Sequence, residues 1–423
     1  MKLKNLLTAI AAVAVLMSCN NEGKPSSGTA SDSTKTNTNT AMNNHAQGSF
    51  GYDVDFLQRQ DSGLIILKSA DQASQVIISP KYQAKVFTSS ADGNNGKSFG
   101  WVNYKAFSGA VDAHMNAYGG EDRLWLGPEG GIFSLYFKPG TKMEFANWKT
   151  PAPIDTEGWT VEHSDSSAVT LTRDMNLLNY AGTQLQLKAL RTIGLISKEA
   201  INTTLGIMLT PDVKSVAFKT SNSITNSGPN AWDEKTGAPC LWNLDMFTPS
   251  EGCTIVIPYN NSASGKVATT DYFGEIPKDR IHYNSGLLFF KADGKSRGKL
   301  GIPPNRVKNI AGSYDAIGNV LTIIKYDIDP AGKYLNQEWR TDRAPFSGDA
   351  MNAYNDGPLA DGKQMGPFYE LESVSPAGFL KPGQQLIHNH SVYHFTGDKA
   401  ALSTIAKKVL GVSVEEITNA FNK

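Results

Sequence analysis

The sequence predicts an all-β sandwich that is closed by short C-terminal helices. Apolar and polar residues alternate in many short runs, turn-forming residues separate these runs, and the spacing of apolar residues becomes helical near the end of the chain. Many short strands separated by frequent turns are typical of sandwiches and barrels. No repeat period of the kind that builds a propeller is visible.

The predicted strands are short runs rich in β-branched and aromatic residues. In chain order they cover residues 64–67, 75–79, 131–137, 159–162, 168–172, 184–190, 254–258, 285–290 and 320–326. Turn signals such as Asp-Gly-Asn at 92–94, Lys-Pro-Gly at 138–140 and Asp-Gly-Lys at 293–295 lie between them. These signals end each run before it could continue as a longer element.

Helical spacing appears at two places. Residues 398–410 carry apolar side chains at intervals of three and four, and Ser413 with Glu416 forms a capping box that starts a second short helix. Residues 197–208 are a further candidate helix. We expect the two C-terminal helices to pack on the sandwich.

The chain divides into three parts. Residues 1–18 combine a basic start with a short apolar run, as in a secretory signal peptide. Residues 19–48 begin with Cys19 and are polar enough to form a flexible tether. Residues 49–423 are globular in composition and contain no linker, so we expect one domain that includes the helices at 398–421.

The segment before Cys19, Leu16-Met17-Ser18, resembles the lipobox of bacterial lipoproteins. That resemblance implies cleavage before Cys19 and lipidation of this residue, with an ordinary signal peptide as the alternative. It also implies a location in the cell envelope, anchored to the outer membrane and facing either the periplasm or the outside. Membrane contact would then be made through the lipid alone.

Charge and cysteine content limit the partners. The chain has 40 basic and 40 acidic residues and no basic stripe with interleaved aromatic residues, which argues against nucleic acid. No phosphate loop is present, and we expect no cofactor. Cys240 and Cys253 could pair in an oxidising compartment, and we favour a structural disulfide over the alternative of two buried thiols.

Glu370 and Glu372 form the most informative pair. On a strand they point to the same side, with Cα atoms about 7 Å apart, while Tyr369 and Leu371 face the core. Two carboxyl groups at this spacing suit acid–base chemistry on a sugar. A solvated strand face with two like charges is the alternative.

A second candidate segment, residues 117–131, is dense in glycine, charge and aromatic residues. Arg123 offers a planar group for hydroxyls or a carboxylate, and Trp125 could stack on a sugar face. Glu121 is a further candidate ligand. The alternative is an internal salt bridge between Arg123 and either Glu121 or Glu129.

Weaker candidates for sugar binding are polar and aromatic side chains spread along the chain, the mixture that a carbohydrate cleft requires. They are Asp271, Arg280, Trp339, Asn355, Asp356, His388 and His390. With His394, the last two would share a strand face and could bind zinc, but a polar face at the cleft rim is the interpretation we adopt, and no metal is predicted.

The C-terminal motif resembles the aldose 1-epimerases (galactose mutarotases). Leu371-Glu372-Ser373, followed by Leu380, Pro382 and Gly383, is similar to their Leu-Glu-Thr strand and the segment after it. The resemblance implies a β-supersandwich fold and Glu372 as the catalytic base. Where the epimerases carry a Thr-Asn-His acid motif, this chain has Thr225, Asn226 and Ser227.

Residues 119–131, 241–258, 271–280, 312–315 and 368–394 together are similar to an uncharacterised family of Bacteroidetes-type lipoproteins grouped with the mutarotase-like folds. The expected function is a sugar-active enzyme with an epimerase-, hydrolase- or lyase-like activity that uses Glu372 as base, assisted by Glu370, a histidine or Arg123. A non-catalytic glycan-binding or structural envelope lipoprotein is the alternative, since serine replaces the acid histidine. The oligomeric state is not predicted.

Overall fold

The structure, a computed structural model, describes residues 45–359 and 361–422. Four α-helices are present in these ranges: α1 (Phe50–Gln60), α2 (Lys198–Leu205), α3 (Lys399–Leu410) and α4 (Val414–Thr418). The strands, in chain order, are β1 (Ile65–Lys68), β2 (Gln75–Ser79), β3 (Lys85–Ser90), β4 (Arg123–Gly127), β5 (Thr160–Ser164), β6 (Ala168–Leu178), β7 (Gln184–Leu195), β8 (Val213–Asn226), β9 (Cys240–Phe247), β10 (Cys253–Pro258), β11 (Ile281–Asn284), β12 (Leu287–Lys291), β13 (Gly298–Ile302), β14 (Ile310–Asp315), β15 (Val320–Tyr326), β16 (Met351–Asn355), β17 (Tyr369–Val374) and β18 (Gln385–Gly397).

These strands form three antiparallel sheets. A ten-stranded sheet has the order β11-β12-β10-β14-β15-β18-β8-β7-β6-β5, and a five-stranded sheet has the order β13-β16-β17-β9-β4. A small sheet, β1-β2-β3, carries α1 beside it. The all-β prediction with short C-terminal helices is therefore confirmed.

The five-stranded sheet is covered on both faces, since every residue of β4, β9, β13, β16 and β17 is buried. One face packs on the ten-stranded sheet, where the hydroxyls of Ser313 and Tyr369 lie 2.8 Å apart. Loops cover the opposite face. The outer strands behave differently: β7 alternates between exposed and buried residues, as a half-covered strand should.

The helices cover the outer face of the ten-stranded sheet. Leu402 and Ile405 of α3 and Ile417 of α4 belong to one apolar cluster with Leu321 of β15 and Tyr393 of β18. The capping box predicted for α4 is confirmed, because the Ser413 side chain and the residue at the third helical position bond to each other's backbone. The C-terminal helices thus stabilise the sandwich on the side away from the loop-covered sheet.

Most predicted elements are found within a few residues of their expected bounds, and one predicted strand is wrong. Residues 131–137 are a loop, since Gly131 has a φ of 76° and Phe133, Tyr136 and Phe137 turn inward as a cap on the core. Helix α1 was not predicted, although Ser49 caps its first turn.

The expected disulfide is also wrong, because Cys240 and Cys253 are both free and buried. Cys240 begins β9 in the five-stranded sheet, whereas Cys253 begins β10 in the ten-stranded sheet. Seven residues of extended chain carry β9 roughly 23 Å past Cys240 before the turn toward β10. The thiols therefore lie far from each other despite their short separation in sequence.

The signal peptide at 1–18, the lipidation of Cys19 and most of the tether at 19–48 fall outside the described residues, and they stay predictions. Within the ranges that the structure does describe, no helix is both long and apolar enough to cross a bilayer.

Candidate functional site

The loop-covered face of the five-stranded sheet gathers charged and aromatic side chains from separate segments of sequence. Antiparallel register places Trp125 of β4 opposite Trp242 of β9, and β9 in turn pairs with β17, which carries Glu370. Lys299 of β13 enters the same face from the far edge. Because successive residues of a strand alternate between faces, these side chains all point away from the ten-stranded sheet.

Between this face and the loops lies a cleft of about 660 Å³, its open mouth included. Its charged lining consists of Arg123, Glu129, Arg297, Lys299 and Glu370. Its aromatic lining consists of Trp125, Trp148, Trp242, Trp339, Phe145, Phe273, Tyr354 and Phe368. A concave, largely apolar pocket with a few convergent polar groups is the usual form of a small-molecule site.

The floor of the cleft contains an ion pair between Arg123 and Glu370. The guanidinium donates to Glu370 at 2.5 Å, and both side chains are more than nine-tenths buried. Arg123 also lies over the ring of Trp125, 5.0 Å from its centroid. Burial raises the pKa of the Glu370 carboxyl, against the opposing charge of Arg123 and together with the neighbouring Glu372 carboxylate. Arg123 thus pairs with Glu370 and not with Glu121 or Glu129.

Glu372 is placed beneath the floor of the cleft and not in it, which corrects the expectation that it opens onto the site. Its side chain is fully buried, and its Oε2 accepts hydrogen bonds from Trp242 Nε1 at 2.9 Å and Lys299 Nζ at 3.1 Å. Trp242 and Lys299 line the cleft, so they lie between Glu372 and a ligand. The second oxygen, Oε1, has no hydrogen-bond partner among the described residues.

Lys299 is the cation that sequence reasoning missed. Burial disfavours its ammonium, but Glu372, Glu129 and Glu370 outweigh that effect and raise its pKa. Its Nζ also lies 4.7 Å from the Trp242 ring centroid. Lys299 is therefore charged at neutral pH. The available signal was Arg297-Gly298-Lys299, two cations one residue apart at the start of a strand.

The cleft wall is a row of aromatic rings. Trp148 stacks on Trp339 with centroids 5.7 Å apart, and Phe145 continues the row at 6.1 Å from Trp148. Phe145 is 62% exposed at the mouth, whereas Trp148 is buried. The row therefore leads from solvent into the cleft. Only Trp339 of these three was predicted, since Phe145 and Trp148 lie on a loop with no regular spacing.

Arg123, Trp125, Trp339 and Glu370 are thus brought together on one lining, and their role in binding stays a prediction. Three other predicted ligands lie between the sheets, away from the cleft. Glu121 is fully buried and bonds His394 Nε2 at 2.9 Å. His388 and His390 are buried against the hydroxyl of Ser373, at 2.8 and 2.9 Å.

The group around His390 contains the three residue types of a hydrolase triad, but the two ring nitrogens are exchanged relative to that arrangement. Ser373 Oγ contacts Nδ1 of His390, and Nε2 of His390 contacts Asp245 at 2.8 Å. All three residues are completely buried between two sheets, so no substrate reaches the serine. Burial lowers the pKa of the adjacent His388 to about 4, so that ring is neutral. This group is a polar network in the core, in which Asp245 Oδ1 has no hydrogen-bond partner among the described residues.

The remaining predicted ligands are held in local structure outside the cleft. Arg280 forms a two-pronged ion pair with Asp293, at 2.5 and 3.0 Å. Asn355 accepts from the backbone of Gly294 at 2.9 Å, and Asp356 accepts from Tyr354 Oη at 2.9 Å. Asp271 is exposed and lines a neighbouring polar depression with Asp349 and Glu338.

The segment that matches the epimerase acid motif also lies apart from the cleft lining. Asn226 ends β8, and its side-chain nitrogen donates to the carbonyl of Leu380 at 2.9 Å. It therefore joins the end of β8 to the Leu-x-Pro-Gly segment. Ser227 follows β8, and its backbone N–H donates to Gln186. No cluster of three or more potential metal ligands occurs in the part of the chain that the structure describes.

Comparison with known proteins gives one family and several similar structures. A model described as a family of unknown function (DUF6786) matches residues 48–421. A comparison with curated proteins finds no match. A putative aldose 1-epimerase from Escherichia coli is 11% identical with a TM-score of 0.46, the match covering 78% of this chain and 99% of that one. A galactose mutarotase-like protein from Lactobacillus casei is 12% identical with a TM-score of 0.45, over 78% and 100% of the two chains. These similarities are too low to support an argument about activity.

Proposed function

Because the chain belongs to DUF6786, a family of unknown function that lends it no activity, we propose from the cleft itself that the protein binds a carbohydrate. The observation that carries the proposal is the joint lining by Trp339, Trp148, Arg123, Glu370 and Lys299. Sugars present apolar C–H faces and many hydroxyls, so they fit aromatic rings beside charged hydrogen-bonding groups.

The polar groups are held in fixed positions before a ligand arrives. The Arg123–Glu370 pair is fixed by its own contact, and Lys299 is fixed by Glu372 from behind. Preorganised groups lose little rotamer freedom on binding, which favours affinity. In this proposal Glu372 is a positioning residue for Lys299, and Glu370 and Lys299 are the groups that meet sugar hydroxyls.

A second candidate function, a sugar-active enzyme, is favoured by one specific observation. Glu370 and Glu129 both line the cleft, and burial raises the pKa of each carboxyl. A carboxyl with a raised pKa can hold a proton near neutral pH and donate it, while the Lys299 ammonium stabilises a developing negative charge. Glu370 would then replace Glu372 as the residue that exchanges a proton with the sugar.

The predicted N-terminal lipid would hold this domain at the cell envelope. A cleft that faces the periplasm or the outside would meet saccharides there. This location rests on the sequence of residues 1–19 alone, and radiolabelled fatty-acid incorporation into the wild-type chain and into Cys19→Ala tests it. Loss of label in the variant supports lipidation at Cys19. Equal label in both chains would contradict it.

The test of binding is a glycan array followed by calorimetric titration of the best ligand. We expect Trp339→Ala to weaken binding about tenfold or more, because the indole face on which the sugar ring stacks is lost. Arg280→Gln is the control, since Arg280 belongs to an ion pair outside the cleft. An equal loss of saccharide affinity in both variants, or no saccharide bound by the wild type, would contradict the proposal.

The catalytic candidate is tested on the ligand found in that way. Turnover is followed by polarimetry and by chromatography of the sugar, in the wild type and in Glu370→Gln. Loss of turnover with retained binding in the variant supports acid–base chemistry. If the wild type binds the sugar without turnover, the carbohydrate-binding function is supported and the catalytic function is contradicted.

A further inference from the structure

Arg297 differs from the other two cations of the cleft in its partners. Arg123 pairs with Glu370, and Lys299 pairs with Glu372. For Arg297 the described part of the chain supplies no carboxylate within ion-pair distance. Its guanidinium lies 3.8 Å from the ring centroid of Phe273, and its Nε donates to Tyr354 Oη at 3.3 Å.

These two contacts fix the orientation of the Arg297 guanidinium. The ring holds one face of the plane, and the tyrosine holds the Nε edge. No hydrogen bond among the described residues uses the terminal nitrogens Nη1 and Nη2. Arg297 also directly precedes β13, so a strand anchors its backbone. A fixed terminal fork without a protein partner is the arrangement that receives an anion with paired oxygens.

The position of Arg297 places this fork at the mouth of the cleft. The residue is exposed, and Phe273 beneath it is 40% exposed, whereas Lys299 on the same face is buried. Glu129 is the remaining carboxyl of the lining, and burial favours its neutral form by raising its pKa. The Asp356 carboxylate reaches Arg297 only through the Tyr354 hydroxyl, which donates to it at 2.9 Å. Arg297 therefore has no direct ion-pair partner among the described residues at the mouth.

We propose that the ligand is an anionic saccharide whose acidic group is bound by Arg297, while its ring lies among the aromatic side chains of the cleft. This inference rests on the proposed carbohydrate function and specifies its ligand class. The acidic group is the carboxylate of a uronic acid or a sulfate ester, since both offer the paired oxygens that a guanidinium fork binds. Arg297 is then the residue that determines specificity, separate from the groups at the floor.

The test is calorimetric titration with three matched trisaccharides: a galacturonic acid trimer, its carboxyl-reduced neutral counterpart, and a sulfated form of the neutral trimer. We expect the wild type to bind an anionic trimer at least tenfold more tightly than the neutral one. Arg297→Gln should reduce that preference to less than threefold. Which anionic trimer binds more tightly identifies the acidic group.

Two further variants control for charge and fold. Lys295→Gln removes a cation two residues away that pairs with Glu251 outside the cleft, and it should keep the wild-type preference. Arg297→Lys should keep part of the preference, because the charge remains and the fork is lost. Equal binding of neutral and anionic trimers by the wild type would overturn this inference and leave the carbohydrate function standing. An absence of binding by all saccharides would overturn both.

Discussion

The indole N–H of Trp242 donates to Glu372 over 2.9 Å, and this bond joins a residue of the cleft lining to a carboxylate that the cleft does not reach. Lys299 completes the arrangement from the other side. The glutamate that the C-terminal motif nominates as a base therefore supports the wall of the site. The carboxyl that lines the cleft is its neighbour two residues earlier, Glu370.

Glu372→Gln should destabilise the protein by roughly 3–5 kcal/mol, because the buried Lys299 ammonium loses its paired charge. Urea unfolding followed by tryptophan fluorescence measures this. The double variant Glu372→Gln with Lys299→Met is the matched control. It should recover much of the loss, since both members of the pair are then replaced. A single variant as stable as the wild type would contradict the structural role.

Ser373→Ala should lower stability by about 1–3 kcal/mol and leave saccharide affinity unchanged, because Ser373 bonds two buried histidines on the face of β17 opposite the cleft. A fluorophosphonate probe should not label the native protein at Ser373. Labelling of this serine, detected by peptide mass spectrometry, would show that the Ser373–His390–Asp245 group is accessible and catalytic.

Asp53 gives a pH-dependent contribution to stability. Burial raises its pKa from 3.8 to about 6, while hydrogen bonds from Ser98 and Tyr104 oppose the shift. The folded protein then binds the proton more tightly than the unfolded chain, so this contribution is present below pH 3.8 and is lost as pH rises through about 6. Asp53→Asn should reduce the fall in unfolding free energy between pH 4 and pH 7 by roughly 2–3 kcal/mol. Parallel pH profiles for wild type and variant would count against the buried carboxyl.

The two core cysteines should be reduced thiols. Burial raises the pKa of Cys240 to about 12 and also raises that of Cys253, so both are protonated and unreactive in the native protein. Iodoacetamide should modify neither in the folded state, and both after unfolding without a reductant. Recovery of a peptide that links Cys240 to Cys253 would restore the disulfide that the sequence suggested.

Much of the fold followed from local patterns, because strand periodicity and turn residues are properties of neighbouring residues. The period of two in residues 184–190 and the Ser413 capping box both depend on local geometry alone. The loop at 131–137 was misassigned because its aromatic residues resemble a strand, while Gly131 and the core below it impose a different path.

The site was predictable only in part. The alternation of Glu370 and Glu372 placed both on one face, as found, but the depth of each depended on partners far away in sequence. Lys299 and Trp242 cover Glu372, and they enter from other strands. His388 and His390 were also assigned to the correct strand, yet the five-stranded sheet packs over that face and removes them from solvent.

The most direct test of the central claim is a crystal structure of the protein with the saccharide that the glycan array identifies. We expect a sugar ring against Trp339 and Trp148, with hydroxyls within hydrogen-bond distance of Glu370 and Lys299 and no contact with Glu372. A ligand bound at His388 and His390, or in direct contact with the Glu372 carboxylate, would contradict it.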